Sequence, residues 1–333
     1  MKKDNNISLK QFVMDLNNGL TQIIQRFRQP REKDIVEQYI SKIKQSYENK
    51  KLRISMPSGE EYHLKIRTKF VHGNPRVKFN PISGPCGKKE IELGDILFVV
   101  KYQDPSLVHS QDPLHLKQAR MSLLQVKLNK GGKLTPLKRY QFKIKVPSGV
   151  WKIESHQQEF MINPSSYPFT FGEIKNQKIS SKSNWLFTYL LITNKKIPSL
   201  AVSPRLIEDL LKKKDCEYHS LPLRFFISVF NSKDPAFSGL IWESTFVGGG
   251  YALWLYKFLK EDSLGGYIIN DGKIVNPELK NLWDAIYRFA KFTPDPPGEF
   301  DEYTGEGPFG VVEFTFAPSE EVMKQYKESR ETM

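Results

Sequence analysis

Residues 90–100 read Glu-Ile-Glu-Leu-Gly-Asp-Ile-Leu-Phe-Val-Val, and residues 123–128 read Leu-Leu-Gln-Val-Lys-Leu. The apolar runs at 95–100 and 123–128 have the length and the branched and aromatic content of buried β-strands. Asp95 opens the first run, and Gln125 and Lys127 interrupt the second. A spacing of two directs Gln125 and Lys127 to one face of a sheet. We therefore predict two neighbouring strands that present an acid, an amide and an amine to a common pocket.

These three residue types suit metal-dependent phosphodiester hydrolysis. A buried lysine beside a buried carboxylate is costly unless the two are paired or share a metal or an anionic substrate. The Asp95 carboxylate would hold a hard divalent cation through oxygen. The cation would polarise a phosphate and generate hydroxide from bound water. Lys127 would stabilise charge on the phosphate or orient the water.

The motif resembles the PD-(D/E)xK superfamily, which has the restriction-endonuclease-like fold. Glu92-Leu-Gly-Asp95 is similar to the acidic strand of that family, and Gln125-Val126-Lys127 is similar to the variant in which glutamine replaces the second acid. The resemblance implies that Asp95, Gln125 and Lys127 are catalytic. It also implies that Asp95, Gln125 and Glu92 hold the metal, Mg²⁺ or Mn²⁺, with the Val126 carbonyl as a further ligand.

The resemblance implies an α/β, mixed α+β fold with a restriction-endonuclease-like core sheet flanked by helices. We expect an N-terminal helical segment at residues 1–50 and a nuclease core at residues 51–195. An α+β region at residues 196–333 would follow, and no motif indicates its role.

Helical spacing of apolar residues predicts helices at 7–29 and 32–49, with Ser8 as the N-cap of the first. Glu37 lies on the second helix. Members of the superfamily often supply an extra acid from the helix before the first strand, which makes Glu37 a candidate. The alternative is a solvated helix face.

The charge of the chain is concentrated in its first half. The formal net charge is +13. Residues 1–145 hold 29 Lys and Arg against 13 Asp and Glu, a net charge of +16, whereas residues 146–333 hold 21 against 24, a net charge of −3. The basic excess surrounds the candidate site and favours a polyanion partner, with DNA as the expected nucleic acid. The alternative is an ordinary lysine-rich surface.

Basic residues before and after the second predicted strand are the candidates for phosphate contacts. Tyr140 and Phe142 are interleaved with some of them, which suits base stacking beside phosphate binding. The alternative is a helix or strand whose aromatic residues are in the core and whose lysines are solvated. A surface ion pair is an alternative role for one of them, Arg120. The predicted nucleic-acid-binding residues are Lys130, Lys133, Lys138, Arg139 and Arg120.

Composition narrows the class of protein. A chain of 333 residues can bury a large core. No apolar run approaches the length of a membrane span, and the N-terminus lacks the apolar region of a signal peptide. Cys86 and Cys216 have no metal-binding spacing, and they do not indicate a disulfide framework. We expect a cytoplasmic protein without a membrane partner.

Three functions are compatible with these residues. The first is a metal-dependent endonuclease, which by analogy with the superfamily suggests restriction or phage defence, with a homo-oligomer or a defence-system protein as partner. The second is a catalytically inactive nuclease-fold protein that binds nucleic acid or acts as a scaffold, and the neutral side chain of Gln125 favours it. In the third, Asp95 and Lys127 form only a buried ion pair.

Overall fold

The runs that contain Asp95 and Gln125 form neighbouring strands in the middle of a mixed 12-stranded sheet. With elements numbered in chain order, strand β6 (Ile96–Gln103) begins directly after Asp95. It pairs antiparallel with β7 (Leu116–Leu128), which carries Gln125 and Lys127. The buried positions of β6 are all apolar, and those of β7 are mostly so, which explains their place inside the sheet.

The computed structural model describes twelve stretches of the chain. The described stretches are residues 5–27, 31–81, 87–104, 116–129, 141–146, 149–180, 186–192, 199–212, 232–242, 245–260, 264–292 and 308–319.

The other strands of the main sheet lie on both sides of β6 and β7. The remaining strands of the main sheet are β1 (Asn5–Ser8), β2 (Leu52–Ser55), β3 (Glu61–His72), β12 (Phe187–Ile192), β13 (Leu200–Val202), β14 (Gly239–Trp242), β15 (Thr245–Gly250), β16 (Gly266–Asn270), β17 (Lys273–Ile274) and β18 (Pro308–Pro318).

The main sheet joins parts of the chain that are far apart in sequence. Its strands lie in the order β1-β2-β3-β18-β6-β7-β12-β13-β15-β14, and β16 pairs with the first half of β7. β18 lies between β3 and β6, antiparallel to β3 and parallel to β6. Strands from all three expected regions, residues 1–50, 51–195 and 196–333, therefore take part in one sheet. The backbone hydrogen bonds of β18 to β3 and β6 connect the last of these regions to the second.

Six helices are described, and they cover the two faces of the main sheet. Ser8 caps the first helix as predicted, because its Oγ accepts a hydrogen bond of 3.1 Å from Gln11 N. None of the helices in the described stretches combines the length and the apolar character that crossing a membrane requires. The helices are α1 (Leu9–Arg26), α2 (Glu32–Tyr47), α3 (Ser155–Ile162), α4 (Pro204–Lys212), α5 (Tyr251–Leu259) and α6 (Pro277–Phe289).

Two hydrophobic cores lie on opposite faces of the sheet. Even-numbered residues of β6 and β7 pack against α1, α2 and α5. Odd-numbered residues of these strands pack against α3, α4 and α6, and we call this side the site face because Asp95, Gln125 and Lys127 share its parity. Together, the helices and sheets confirm the predicted mixed α+β class.

A smaller sheet packs on the site face. An additional hairpin, which forms no strand pairs with either sheet within the described ranges, consists of β8 (Gln141–Val146) and β9 (Gly149–Glu154). Its Trp151 and Ile153 are buried in the core on the site face. The second sheet has the order β11-β10-β4-β5 and is formed by β4 (Arg76–Phe79), β5 (Lys89–Glu92), β10 (Phe169–Phe171) and β11 (Ile174–Gln177).

Candidate active site around Asp95

The backbone of Asp95 is held between two strands. Its N–H donates to the Leu124 carbonyl of β7 at 2.8 Å, and its carbonyl accepts from Gly310 N of β18 at 2.9 Å. Just before it, Gly94 lies against β7, where a Cβ atom would stand 3.1 Å from the Leu124 oxygen. The position of Asp95 therefore depends on both neighbouring strands and on a close approach to one of them.

The side chains of Asp95 and Gln125 are in direct contact. Asp95 Oδ2 accepts a hydrogen bond of 2.5 Å from Gln125 Nε2 and another of 2.7 Å from Val126 N. Asp95 is only 3% exposed and Gln125 only 1%. The structure thus brings together the acid of the first predicted strand and the amide of the second.

Burial and neighbouring charges set the electrostatics of this carboxylate. Burial raises the pKa of Asp95 well above its ordinary value. The positive charge of Lys127 opposes this rise, whereas the negative charges of Glu32 and Glu92 add to it. Lys127 is half-buried and follows Gln125 on the same face of β7. Three acids and one lysine therefore act on one another in this region.

Gln157 of α3 completes a chain of side-chain hydrogen bonds. Its Nε2 donates to Gln125 Oε1 at 2.5 Å and to the Glu92 carbonyl at 2.8 Å. Gln157 is 2% exposed. Because its donor is fixed on Gln125 Oε1, the Gln125 amide presents its Nε2 to Asp95. The sequence offers little signal for this residue, since it is one of two adjacent glutamines in a short helix without a regular apolar period.

The helix before the strands does supply an acid, but it is Glu32. Glu32 Oε1 accepts a hydrogen bond of 3.2 Å from Leu128 N, one residue after Lys127. Glu37, the predicted candidate, lies five residues further along α2, which rotates its side chain by about 140° around the helix. Glu37 forms no hydrogen bond or ion pair within the described part of the chain. The candidate role of Glu37 is therefore corrected, because the acid of α2 that acts on the site is Glu32.

Glu92 lies at the edge of the site and not at its centre. It is on β5 of the second sheet, where its carboxylate forms an ion pair with Arg76 Nη2 of β4 at 3.3 Å. Its backbone carbonyl is the one that accepts from Gln157. Glu92 therefore supports the position of Gln157 and contributes negative charge, while its carboxylate is engaged elsewhere.

Arg120 is not available for the predicted phosphate contact. It is 0% exposed, and its guanidinium donates to the Leu264 carbonyl at 2.8 Å and to the Lys260 carbonyl at 2.5 Å. The same group lies 5.5 Å from the ring centre of Tyr267. Strand β16 pairs with β7 beside Arg120. Because Arg120 is fully buried, the alternative of a surface ion pair is excluded as well. Four other predicted contacts, Lys130, Lys133, Lys138 and Arg139, lie outside the described residues.

Comparison of the chain with protein-family models, curated proteins and solved structures finds no match. Within the described stretches, no group of three or more His, Cys, Asp or Glu side chains is close enough to hold a metal ion. The hydrogen-bonded cluster of Asp95, Gln125 and Gln157, with the charges that surround it, is therefore the feature of this face that bears on function.

Proposed function

We propose that the protein is a divalent-metal-dependent endonuclease that hydrolyses phosphodiester bonds in DNA and is related to the PD-(D/E)xK superfamily. The observation that carries this proposal is the 2.5 Å contact between Asp95 Oδ2 and Gln125 Nε2 on adjoining antiparallel strands, with Lys127 beside them. A buried polar cluster of this composition has no packing advantage, and such clusters are frequent at functional sites.

The chemistry of the donor set fits a hard cation such as Mg²⁺ or Mn²⁺. Burial and the charges of Glu32 and Glu92 disfavour the ionised form of Asp95, and a divalent cation would relieve this cost. Asp95 and the Val126 carbonyl oxygen would hold the ion, and Gln125, whose Nε2 donates to Asp95, would position the carboxylate. Mg²⁺ is often bound by only one or two carboxylates together with water and substrate phosphate. When bound, the metal polarises the phosphate and activates water.

The remaining side chains have roles that follow from their places. The half-buried Lys127 would carry its ammonium group to the phosphate and stabilise the negative charge that develops there. Gln157 holds the Gln125 amide through its 2.5 Å hydrogen bond and limits its rotation. Gln157 is therefore a positioning residue, and Glu32 adds negative charge from the first turn of α2.

Cleavage of DNA tests the proposal. Plasmid and linear DNA would be incubated with Mg²⁺ or Mn²⁺ and with wild-type protein, Asp95→Ala or Lys127→Ala. We expect cutting by the wild-type protein and a loss of at least two orders of magnitude in each variant, because each removes charge at the reacting phosphate. Glu90→Gln is the control, since Glu90 is exposed on β5 close to the site. Equal cutting by all four proteins would remove the assigned roles.

A second candidate is a nuclease-fold protein without catalysis that binds nucleic acid or acts as a scaffold. The observation that favours it is that Gln125 Oε1, the oxygen that the resemblance assigns to a cation, already accepts from Gln157. Titration of the protein with Mn²⁺ separates the two candidates. Specific binding that Asp95→Ala abolishes supports the nuclease, and absence of binding with retained affinity for DNA supports the scaffold. For either candidate, we propose a cytoplasmic setting in restriction or phage defence.

A further inference from the structure

One edge of the site face is basic. On β3, Arg67 Nη1 lies 3.5 Å from Glu313 Oε1 of β18, which points to the site face together with Val311. The odd-numbered residues of β3 therefore point to the same side of the sheet as Asp95. Helix α6 and residues 290–292 pack over β18 and β6, and the Arg67 guanidinium carbon lies 4.4 Å from the centre of the Phe292 ring. We define the basic row as Arg53, His63, Lys65, Arg67 and Lys69.

The two lysines of the basic row have no internal partner. Lys65 and Lys69 are exposed, and neither forms an ion pair or a hydrogen bond through its side chain in the described part of the chain. Arg67 is 40% exposed, and its Nη2 donates to the Phe292 carbonyl at 2.8 Å, which fixes the guanidinium over the ring. The row thus combines Arg67, which a hydrogen bond holds in place, with the exposed lysines Lys65 and Lys69.

Two acids of the described residues lie beside the basic row, and both have partners elsewhere. Glu313 is 2% exposed and its charge is already matched by Lys101, whose Nζ lies 2.5 Å from Glu313 Oε2. Glu61 stands at the far end of the row, where it accepts a hydrogen bond of 2.8 Å from Asn6 Nδ2. The side chains of Lys65 and Lys69 are exposed to solvent.

We propose that the basic row binds the phosphate backbone of a DNA duplex and holds it beside the Asp95 cluster, formed by Asp95, Gln125, Lys127 and Gln157. Six residue steps from His63 to Lys69 span about 20 Å of strand. This length corresponds to about six phosphates of one DNA strand at about 3.4 Å along the helix axis. The contact carries no base information, so it positions the substrate and does not select a sequence.

The basic row is close enough to Asp95 to act on the same substrate. Through the register of β18, Asp95 is level with Val71 of β3, two strands away, and Lys69 is two residues further along. Strand spacing and rise place the Lys69 and Asp95 Cα atoms about 12 Å apart, which is comparable to the width of the major groove of B-DNA. The inference rests on the proposed function, because it assigns to the same nuclease the surface that holds its substrate.

Salt-dependent binding tests the inference. Fluorescence anisotropy would measure the affinity of the full chain for a labelled DNA duplex at several salt concentrations. The variant is Lys65→Gln/Lys69→Gln, which leaves Arg67 and its contacts intact. The control is Lys178→Gln/Lys273→Gln, which removes the same charge from two exposed lysines elsewhere on the described surface. We expect the slope of log affinity against log salt to fall in magnitude by about 1.8 in the variant and to remain unchanged in the control.

Each outcome has a distinct meaning. Equal slopes in the variant and the wild-type protein overturn the basic row even if the wild-type protein cleaves DNA. A reduced slope in a protein that never cleaves supports the row and removes the nuclease assignment. Absence of duplex binding by the wild-type protein, or binding only to phosphatidylserine vesicles, also overturns the inference. Circular dichroism of the variant establishes that it is folded.

Discussion

Replacing Asp95 by asparagine is expected to stabilise the metal-free protein while abolishing cleavage. Asparagine has almost the same shape and keeps an oxygen that can accept from Gln125 Nε2 and Val126 N, so both hydrogen bonds of Asp95 Oδ2 are retained. The substitution removes a buried negative charge that burial disfavours and that Glu32 and Glu92 repel. Loss of activity with a gain of stability is typical of residues that are kept for function.

The expected gain is about 1–3 kcal/mol in the free energy of unfolding, the range for the desolvation of a buried polar group. The attraction between Asp95 and Lys127 is lost as well, but Lys127 is half-buried and water can solvate its ammonium group. Urea unfolding at neutral pH in the presence of EDTA measures the difference. Glu90→Gln, at an exposed position, should change the free energy of unfolding by less than about 0.5 kcal/mol.

The pH dependence of the same measurement gives a second check. Because the pKa of Asp95 is raised in the folded protein, the folded state binds more protons than the unfolded state above the ordinary value of 3.8. The contribution of Asp95 to stability is therefore fully present below that pH and is lost as the pH rises through the folded pKa. The advantage of Asp95→Asn should grow over this window. A variant that is less stable than the wild-type protein at neutral pH, or a difference that does not change with pH, would refute this reasoning.

Two further perturbations test the neighbouring networks. Glu313→Ala should lower the free energy of unfolding by about 3–5 kcal/mol in urea titrations, because it leaves Lys101 without its buried partner and removes the 2.6 Å acceptor of the Tyr287 hydroxyl. Gln157→Leu should reduce the rate of cleavage by about 10-fold to 100-fold, since it frees the Gln125 amide that Gln157 holds with its Nε2 towards Asp95. Recovery in Gln157→Asn is not expected, because asparagine is too short to reach Gln125. An unchanged rate of cleavage in Gln157→Leu would contradict the positioning role.

Local patterns were sufficient to predict the central strands and the contact between Asp95 and Gln125. The apolar runs have the length of strands, and the period of two along β7 determines which side chains share a face. The N-terminal helix and its Ser8 cap follow from equally local signals. These features depend on residues that are close in sequence, where propensity and periodicity act.

Features that depend on distant parts of the chain could not be predicted. The burial of Arg120 results from β16, which lies more than 140 positions later in the sequence. Whether Glu32 or Glu37 approaches the strands depends on the rotation of α2 against the sheet, which the sequence of the helix does not determine. Gln157 reaches Gln125 only because α3 packs across the site face.

The central place of β18 has a consequence for the synthesis of the protein. Asp95 is held from one side by Gly310, and Glu313 anchors Lys101, so both polar clusters need residues from the last strand of the sheet. Pairing of β18 with β3 links positions more than 230 residues apart, which makes it a late event in folding. A nascent chain that lacks residues 308–318 would lack the Gly310 contact to Asp95 and the Glu313 partner of Lys101. For the proposed nuclease, chains interrupted during translation are thus expected to be inactive.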